Sequence, residues 1–157
     1  MTTLVLVRHA KSDWGDPGLS DHDRPLNDRG LRDAPELAQR LAATGFRPDR
    51  LLTSTAVRAR TTAGFFADAL GVEPEPTEDL YGASAHTLLA TAVAAGVPHV
   101  MLVAHDPGMT TLAESLSNGG IGAMPTCAVA TFRWSTADWD VASSIDSDEW
   151  DFDRPRR

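Results

Sequence analysis

The sequence has a single cysteine and no apolar run long enough to cross a membrane. Cys127 therefore cannot form a disulfide within the chain, which fits a reducing compartment. The apolar run near the N-terminus covers only residues 4–7, too short for the core of a signal peptide or for a membrane span. We expect a soluble, cytoplasmic protein with no membrane partner.

Positive charge is also scarce, with 14 Lys and Arg against 22 Asp and Glu and a formal net charge of −8. This balance argues against a nucleic-acid partner, because a polyanion is attracted by an excess of positive charge. An acidic protein that binds phosphate must instead concentrate its arginines in one place. The positions of the arginines are therefore the informative feature.

The chain also lacks internal repeats and any Pro/Gly/Ser-rich linker. Its 157 residues, 42% of them hydrophobic, have the size of one compact domain. We predict a single domain over residues 1–157, with the last dozen or so charged residues, within 146–157, loosely held. The sequence makes no prediction of oligomeric state.

Apolar periodicity predicts alternating strands and helices. Strands are predicted at residues 3–7, 49–53 and 99–104, and helices near 27–41, 56–70, 84–95 and 109–116. Pro35 should kink the first helix or mark its first turn. Residues 128–134 and 139–145 are predicted to form a hairpin, and residues 10–27 a long polar loop. This alternation predicts an α/β fold, a three-layer α/β/α sandwich with a mainly parallel central sheet.

Four candidate catalytic or binding residues fall at or after the ends of predicted strands. Arg8 and His9 end the first strand, Arg58 follows the second, and His105 ends the third. Ligands of such sheets lie beyond the carboxyl ends of the strands, so these side chains should meet. Guanidinium groups match phosphate oxygens, and a neutral imidazole is a competent nucleophile for phosphorus.

Two alternatives apply to the same residues. A histidine at a strand end is often an ordinary hydrogen-bonded residue, and His9 and His105 with nearby aspartates could be proposed as metal ligands. Two fixed positive charges from Arg8 and Arg58 would repel a cation, so we expect no metal and no other cofactor.

Four blocks of sequence, in order along residues 4 to about 116, resemble the histidine phosphatase superfamily, which has the phosphoglycerate mutase-like fold. They are Val5-Leu6-Val7-Arg8-His9-Ala10, Pro25-Leu26-Asn27-Asp28-Arg29-Gly30, Ser54-Thr55-Ala56-Val57-Arg58-Ala59-Arg60-Thr61-Thr62-Ala63 and Val103-Ala104-His105-Asp106-Pro107-Gly108. The resemblance implies that His9 is the phosphorylated nucleophile and that Arg8, Arg58 and His105 form the phosphate pocket. Four ordered matches are far more specific than one.

The short chain, the lack of an inserted cap domain and the Arg24-Pro25-Leu26 segment bring it nearest to the small phosphohistidine phosphatases of the SixA type. That resemblance makes Arg24 a candidate phosphate contact, although Arg24 could instead pair with Asp21 or Asp23. Ser12 is a weaker candidate for phosphate binding, with a turn role as the alternative.

The chain departs from the family pattern at several positions. Ala10 replaces the usual Gly, Lys11 stands where many relatives carry Glu, and Gly15 where mutases often carry Asn. These differences weaken a mutase interpretation. Trp14 and Tyr81 lie in the loops expected to frame the pocket, where they could stack on a substrate, although packing beneath a loop is the more common role.

The general acid of ester-hydrolysing relatives is a Glu shortly after a segment resembling Glu78-Asp79-Leu80, but here Tyr81-Gly82 follows. The remaining candidates for an acid, with surface carboxylates as the alternative, are Glu78, Asp79, Asp21 and Asp23. An alkoxide leaving group needs such an acid, which raises the reaction rate roughly 10²–10⁴-fold. An imidazole leaving group can take its proton from water.

Three functions follow as hypotheses. The first is a metal-independent phosphatase that works through phospho-His9 on a phosphohistidine-bearing protein. The second is a phosphatase for a small phosphomonoester or sugar phosphate. The third is a phosphate-recognition module without turnover, which would need Arg8, Arg58 and His105 but not a reactive His9.

Overall fold

A central six-stranded sheet organises the computed structural model, which describes residues 1–156. The strands are β1 (Thr2–Arg8), β2 (Arg50–Thr53), β3 (Pro74–Pro76), β4 (His99–Ala104), β5 (Val129–Trp134) and β6 (Glu149–Asp153). Their order across the sheet is β3-β2-β4-β1-β5-β6. The first four of these are mutually parallel, and β5 and β6 are joined to them and to each other by antiparallel pairing. This arrangement confirms the predicted α/β fold with a mainly parallel sheet.

The sheet separates two apolar cores because successive side chains of a strand point to opposite faces. Leu4 and Leu6 of β1 pack into one core, and Val5 and Val7 pack into the other. Helices α1 (Asp28–Ala43) and α2 (Val57–Leu70) cover the face of Val5 and Val7. Helices α3 (Ala85–Ala94) and α4 (Gly108–Leu116) cover the opposite face, with the short α5 (Trp139–Ala142) at its margin.

Local signals explain one end of each of the helices α1, α2 and α3. Asn27 caps α1 by accepting a hydrogen bond from the Gly30 amide, and Ser84 caps α3 by accepting one from Thr87. Gly71 ends α2 in the left-handed conformation, at φ +69°. Pro35 lies inside α1, which begins at Asp28, so the expectation that it could mark the first turn is wrong.

The C-terminal prediction is wrong in two respects. Residues 139–145 do not form a strand, because the Asp138 side chain accepts from the Asp140 amide and starts the short helix α5 instead. The last dozen residues are not loosely held throughout, because β6 lies among them and pairs with β5 along its length. The short strand β3 and a 3₁₀ helix at Glu78–Leu80 were not predicted.

The loop at residues 10–27 has internal structure. Ser12 and Leu26 form an isolated antiparallel bridge across its base, and Asp21–Asp23 form one turn of 3₁₀ helix. The backbone of Gly30 packs closely against the base of this loop. A Cβ at that position would lie 2.2 Å from the Lys11 carbonyl oxygen, so only glycine fits there. The loop is thus anchored to the start of α1, directly above the end of β1.

None of the helices within residues 1–156 is long and apolar enough to cross a membrane.

Candidate active site

The carboxyl ends of β1, β2 and β4 bring the predicted residues together. Arg8 is the last residue of β1, and the amide of His9 donates to the Ala104 carbonyl at the end of β4, at 3.0 Å. His105 follows β4 directly, and its ring centroid lies 5.0 Å from that of His9. Arg58 is the second residue of α2, after the turn that leaves β2.

His9 is held in a form suited to nucleophilic attack. Its ring is buried, and Nδ1 lies 2.8 Å from the Ala10 carbonyl oxygen, which can only accept a hydrogen bond. Nδ1 therefore carries the proton, and the lone pair is on Nε2. Burial, opposed by the Ala10 hydrogen bond and assisted by the neighbouring His105, Arg58 and Arg8, lowers the pKa of His9 to about 3. The imidazole is neutral at physiological pH.

His105 presents its other nitrogen to the same site. Its Nε2 lies 2.7 Å from the Ser54 hydroxyl, and its Nδ1 is buried without a hydrogen-bond partner. Burial, followed by the charge of Arg58, lowers the pKa of His105 to about 4. The Ser54 hydroxyl accepts from the Ala56 amide and can donate to Nε2; in that tautomer of His105, Nδ1 carries a proton that an anion could accept.

The two arginines are fixed by partners at the edge of the site. Arg8 Nη1 donates to the Met124 carbonyl at 2.9 Å and lies 3.6 Å from an Asp106 carboxylate oxygen. Arg58 donates from Nη1 to the Asp21 carbonyl at 2.7 Å and from Nη2 to the Asp21 carboxylate at 3.0 Å. Neither guanidinium is free to turn away, so both positive charges stay beside the two histidines.

Buried donors without partners are concentrated at this site. Within residues 1–156, six buried side-chain nitrogens have no hydrogen-bond partner, and four of them belong to the candidate phosphate-binding residues. These four are Arg8 Nε, Arg24 Nη1, Arg58 Nε and His105 Nδ1. An unpartnered buried donor costs about 1–3 kcal/mol, so a cluster of four at one site is typical of a place that takes up an acceptor. The donors suit the oxygens of a phosphoryl group.

Asp21 connects the loop to this site. Its carboxylate accepts from the Tyr81 hydroxyl at 2.6 Å and from Arg58, and it lies 3.3 Å from Arg24 Nε. The Tyr81 hydrogen bond, followed by Arg58, lowers the pKa of Asp21 to about 2, and the same bond raises the pKa of Tyr81. Asp21 is therefore ionised at neutral pH and has no proton to give to a leaving group.

Of the two expectations for Arg24, the structure shows the ion pair, and the phosphate contact stays a prediction. Arg24 pairs with Asp21, and its Nη1 remains buried and unpartnered next to the site. The Trp14 ring lies over its guanidinium, 3.3 Å from Cζ to ring centroid, and is 71% exposed. Packing of Trp14 beneath a loop is thus wrong. Tyr81 sits edge-on to His105, at 5.5 Å, so it does frame the site.

The remaining candidates are less connected. The Ser12 side chain is buried but makes no hydrogen bond with the site residues. The carboxylate of Asp23 lies 3.6 Å from His22 Nδ1. Glu78 and Asp79 are exposed, and their side chains make no hydrogen bond or ion pair with any described residue. Within residues 1–156, no group of three or more His, Cys, Asp or Glu is arranged to hold a metal ion.

Two contributors were missed in the sequence. His22 packs edge-on against Tyr81 at 4.9 Å and reaches the Thr55 hydroxyl at 2.8 Å, so it ties the loop to the turn before α2. Cys127 adopts φ +64°, and its amide donates to the carbonyls of Arg8 and His9. A non-glycine residue in this conformation is uncommon and is stabilised here by the surrounding contacts. No local sequence signal marks either residue.

The buried neutral histidines predict a loss of stability in mild acid. Both have folded-state pKa values below the ordinary 6.5, so below pH 6.5 the unfolded chain binds more protons than the folded one. The free energy of unfolding should fall from pH 7 to pH 5, by up to about 2 kcal/mol for each histidine. Asp21 titrates far below this window. Urea unfolding at the two pH values measures the loss, and His105→Gln should remove about half of it; an unchanged loss in that variant would contradict the assignment.

Comparisons with known proteins show the family to which the chain belongs. The model of the histidine phosphatase superfamily (branch 1) matches residues 4–83, about half of the chain. An uncharacterized protein of Mycobacterium tuberculosis is 37% identical over 114 residues, covering 71% of this chain and 70% of its own. An uncharacterized chloroplastic protein of Arabidopsis thaliana is 29% identical and covers 90% of this chain and 71% of its own. The protein belongs to the histidine phosphatase superfamily.

Solved structures place it more closely within that superfamily. A protein of Agrobacterium tumefaciens, provisionally assigned as the phosphohistidine phosphatase SixA, superposes with a TM-score of 0.82 at 31% identity, over 98% of both chains. The protein histidine phosphatase SixA complexed with tungstate has the same fold, with a TM-score of 0.76 at 22% identity over 98% of this chain and 95% of that one. The chain is SixA-like, as the sequence resemblance implied, and its family supports a phosphatase activity.

Proposed function

We propose that the protein is a metal-independent phosphatase that acts through a phosphohistidine intermediate on His9 and prefers phosphohistidine on a protein as substrate. The observation that carries this proposal is the combination at one site of a neutral His9, with its lone pair on Nε2, and four unpartnered donors. Nucleophile and anion-binding groups are then both present without a metal ion.

The reaction has two steps. Nε2 of His9 attacks phosphorus in line as the bond to the leaving group breaks, while Arg8, Arg58 and His105 bind the non-transferred oxygens. The new N–P bond is then cleaved by water, which releases orthophosphate and restores neutral His9. The Nδ1–H bond to Ala10 holds the ring in position and stabilises the charge that the ring carries while it is phosphorylated.

The preference for an N–P bond is supported by the carboxylates around the site. Asp21, the carboxylate tied to Arg58 and Tyr81, is ionised and cannot protonate an alkoxide. Glu78 and Asp79 are exposed and unattached. Imidazole leaves without the help of such an acid, whereas an alkoxide does not. The SixA-like fold at 31% identity to the Agrobacterium tumefaciens protein supports the same substrate class.

Three substrates that differ in leaving group test this preference: a histidine-phosphorylated peptide, a serine-phosphorylated peptide of the same sequence length, and p-nitrophenyl phosphate. We expect kcat/KM for phosphohistidine to exceed that for phosphoserine by at least about 100-fold, because the serine alkoxide needs an acid. p-Nitrophenyl phosphate, whose leaving group needs no acid, should fall between them. Equal rates on phosphoserine and phosphohistidine would favour a phosphomonoesterase, and phosphate binding without turnover of any of the three would favour a recognition module.

A further inference from the structure

A groove rich in arginine opens beside the proposed catalytic site. It is an open depression of about 710 Å³ whose lining includes Arg29, Pro125, Thr126, Phe152, Arg154 and Arg156; we call it the basic groove. Pro125 and Thr126 lie between Met124, whose carbonyl accepts from Arg8, and Cys127, whose amide donates to the carbonyls of Arg8 and His9. The wall of the basic groove and the wall of the phosphate site are thus the same segment of chain.

The register of the sheet explains why the basic groove lies at this edge. Val7 of β1 pairs with Val129 of β5, and Val129 pairs with Asp153 of β6. Because β5 is antiparallel to both neighbours, β6 runs in the same direction as β1 and ends at the same edge. Arg154 therefore follows β6 at the level at which Arg8 ends β1. Two strand spacings separate these backbones, about 10 Å.

The charge of the basic groove is opposite to that of the whole protein. Three arginines line it, with one carboxylate, Asp153, which lies 3.3 Å from Arg40 and also accepts from the Arg154 amide. Arg29 Nε lies 3.7 Å from the Asp33 carboxylate, so part of its charge is already compensated. Three of the 14 basic residues of a chain with net charge −8 therefore gather in one place. The strand ends that carry Arg8 and Arg154 are about 10 Å apart, which is near one Debye length in 0.1 M salt, so this charge is only partly screened at the phosphate site.

We propose that the basic groove binds an acidic segment of the polypeptide that carries the phosphorylated residue. This inference rests on the proposed function, since it assumes a protein-borne phosphate. The positive lining selects an anionic segment, and the open form and shared wall suit a chain that continues past the residue held at His9. A nucleic acid carries a charge at every phosphate and would extend that charge beyond the groove over a protein of net charge −8, whereas an acidic segment places only a few charges in the groove.

The test uses two synthetic peptides of equal length that carry one phosphohistidine, one flanked by three glutamates and the other by three serines. The wild-type protein should hydrolyse the acidic peptide with a kcat/KM about 10-fold higher at low salt, and the advantage should vanish in 0.5 M NaCl. Arg154→Glu should reduce the advantage, and Arg29→Gln/Arg154→Glu should abolish it. The Arg154 contacts to Asp153 and Arg40 are made by its backbone, so this substitution preserves them.

The serine-flanked peptide is the internal control, because its kcat/KM should change less than about two-fold in these variants. Arg47→Glu is the matched control variant, since Arg47 follows α1 at the opposite edge of the sheet. An equal kcat/KM for both peptides, or an acidic preference that survives Arg29→Gln/Arg154→Glu, overturns the inference. So does an equal loss in Arg47→Glu.

A binding experiment separates this inference from the proposed function. Fluorescence anisotropy with the unphosphorylated glutamate peptide should show binding to the wild type and about 10-fold weaker binding to Arg29→Gln/Arg154→Glu. If no phosphohistidine peptide is hydrolysed but this difference is found, the basic groove stands and the proposed function fails. A single-stranded oligonucleotide of equal charge that competes as strongly as the glutamate peptide would overturn the assignment to a polypeptide.

Discussion

Replacing His9 by alanine should lower kcat/KM by at least about 10⁴-fold, because it removes the only group proposed to form a bond with phosphorus. In the wild type, Nε2 is unprotonated and lies in a site where the arginines supply positive charge and buried donors. The substitution leaves those donors in place. The variant should therefore still bind inorganic phosphate while it loses turnover.

Rapid quenching provides the direct measurement. Wild-type protein mixed with a ³²P-labelled phosphohistidine peptide should carry label that is labile in acid and stable in alkali, and the label should map to His9. His99→Ala is the matched control, since His99 begins β4 at the other edge of the sheet and pairs with Thr3. Turnover retained in His9→Ala, or label retained on the protein in that variant, would refute the nucleophile assignment.

Substitution of Arg58 by alanine should have the second largest effect, a loss of roughly 10³-fold in kcat/KM. Two consequences add. The phosphoryl group loses a buried cation, and the Asp21 carboxylate loses the partner that Arg58 Nη2 provides at 3.0 Å. An uncompensated carboxylate then lies where a dianionic phosphate must bind. Arg58→Lys keeps one charge but not the fork that holds the Asp21 carbonyl and carboxylate together, so its loss should be intermediate.

A double-mutant cycle with Asp21→Asn separates these two consequences. If repulsion by Asp21 contributes, Arg58→Ala/Asp21→Asn should bind inorganic phosphate more tightly than Arg58→Ala alone. Arg60→Ala, two residues further along α2, is the matched control because Arg60 is exposed and its Nε donates only to the Thr55 carbonyl. A loss in Arg58→Ala no greater than in Arg60→Ala would rule out the proposed role.

The sequence was informative where a rule of sheet architecture applies. Arg8, His9, Arg58 and His105 could be placed together because each follows a parallel strand, and such ends share an edge. Their catalytic roles remain predictions. Asp21 could not be placed, since its contacts depend on a single 3₁₀ turn and on Tyr81, which lies 60 residues further along the chain.

In the C-terminal region the sequence-based predictions were wrong. Residues 149–153 alternate acidic and aromatic residues, which is a strand pattern, but their charge and terminal position favoured a loose tail. β6 is an edge strand with one neighbour, and most of it is exposed, so acidic side chains are accommodated there. Residues 139–145 have the apolar residues of a strand, but the Asp138 cap and the bond from the Trp139 ring to the Val97 carbonyl fix a helical turn. In both segments, contacts with distant parts of the chain determine the secondary structure.

The Asp21 carboxylate has a consequence for which anions the protein retains. Its negative charge already interacts with Arg58 and Arg24. An incoming anion therefore gains binding free energy only from interactions that exceed those the carboxylate already makes. A monovalent anion such as chloride brings a single charge and no set of oxygens for the four buried donors. A phosphoryl dianion brings both. We expect the tethered carboxylate to act as a built-in competitor that keeps common salt ions out of the site and hastens the departure of orthophosphate once its bond to His9 is broken.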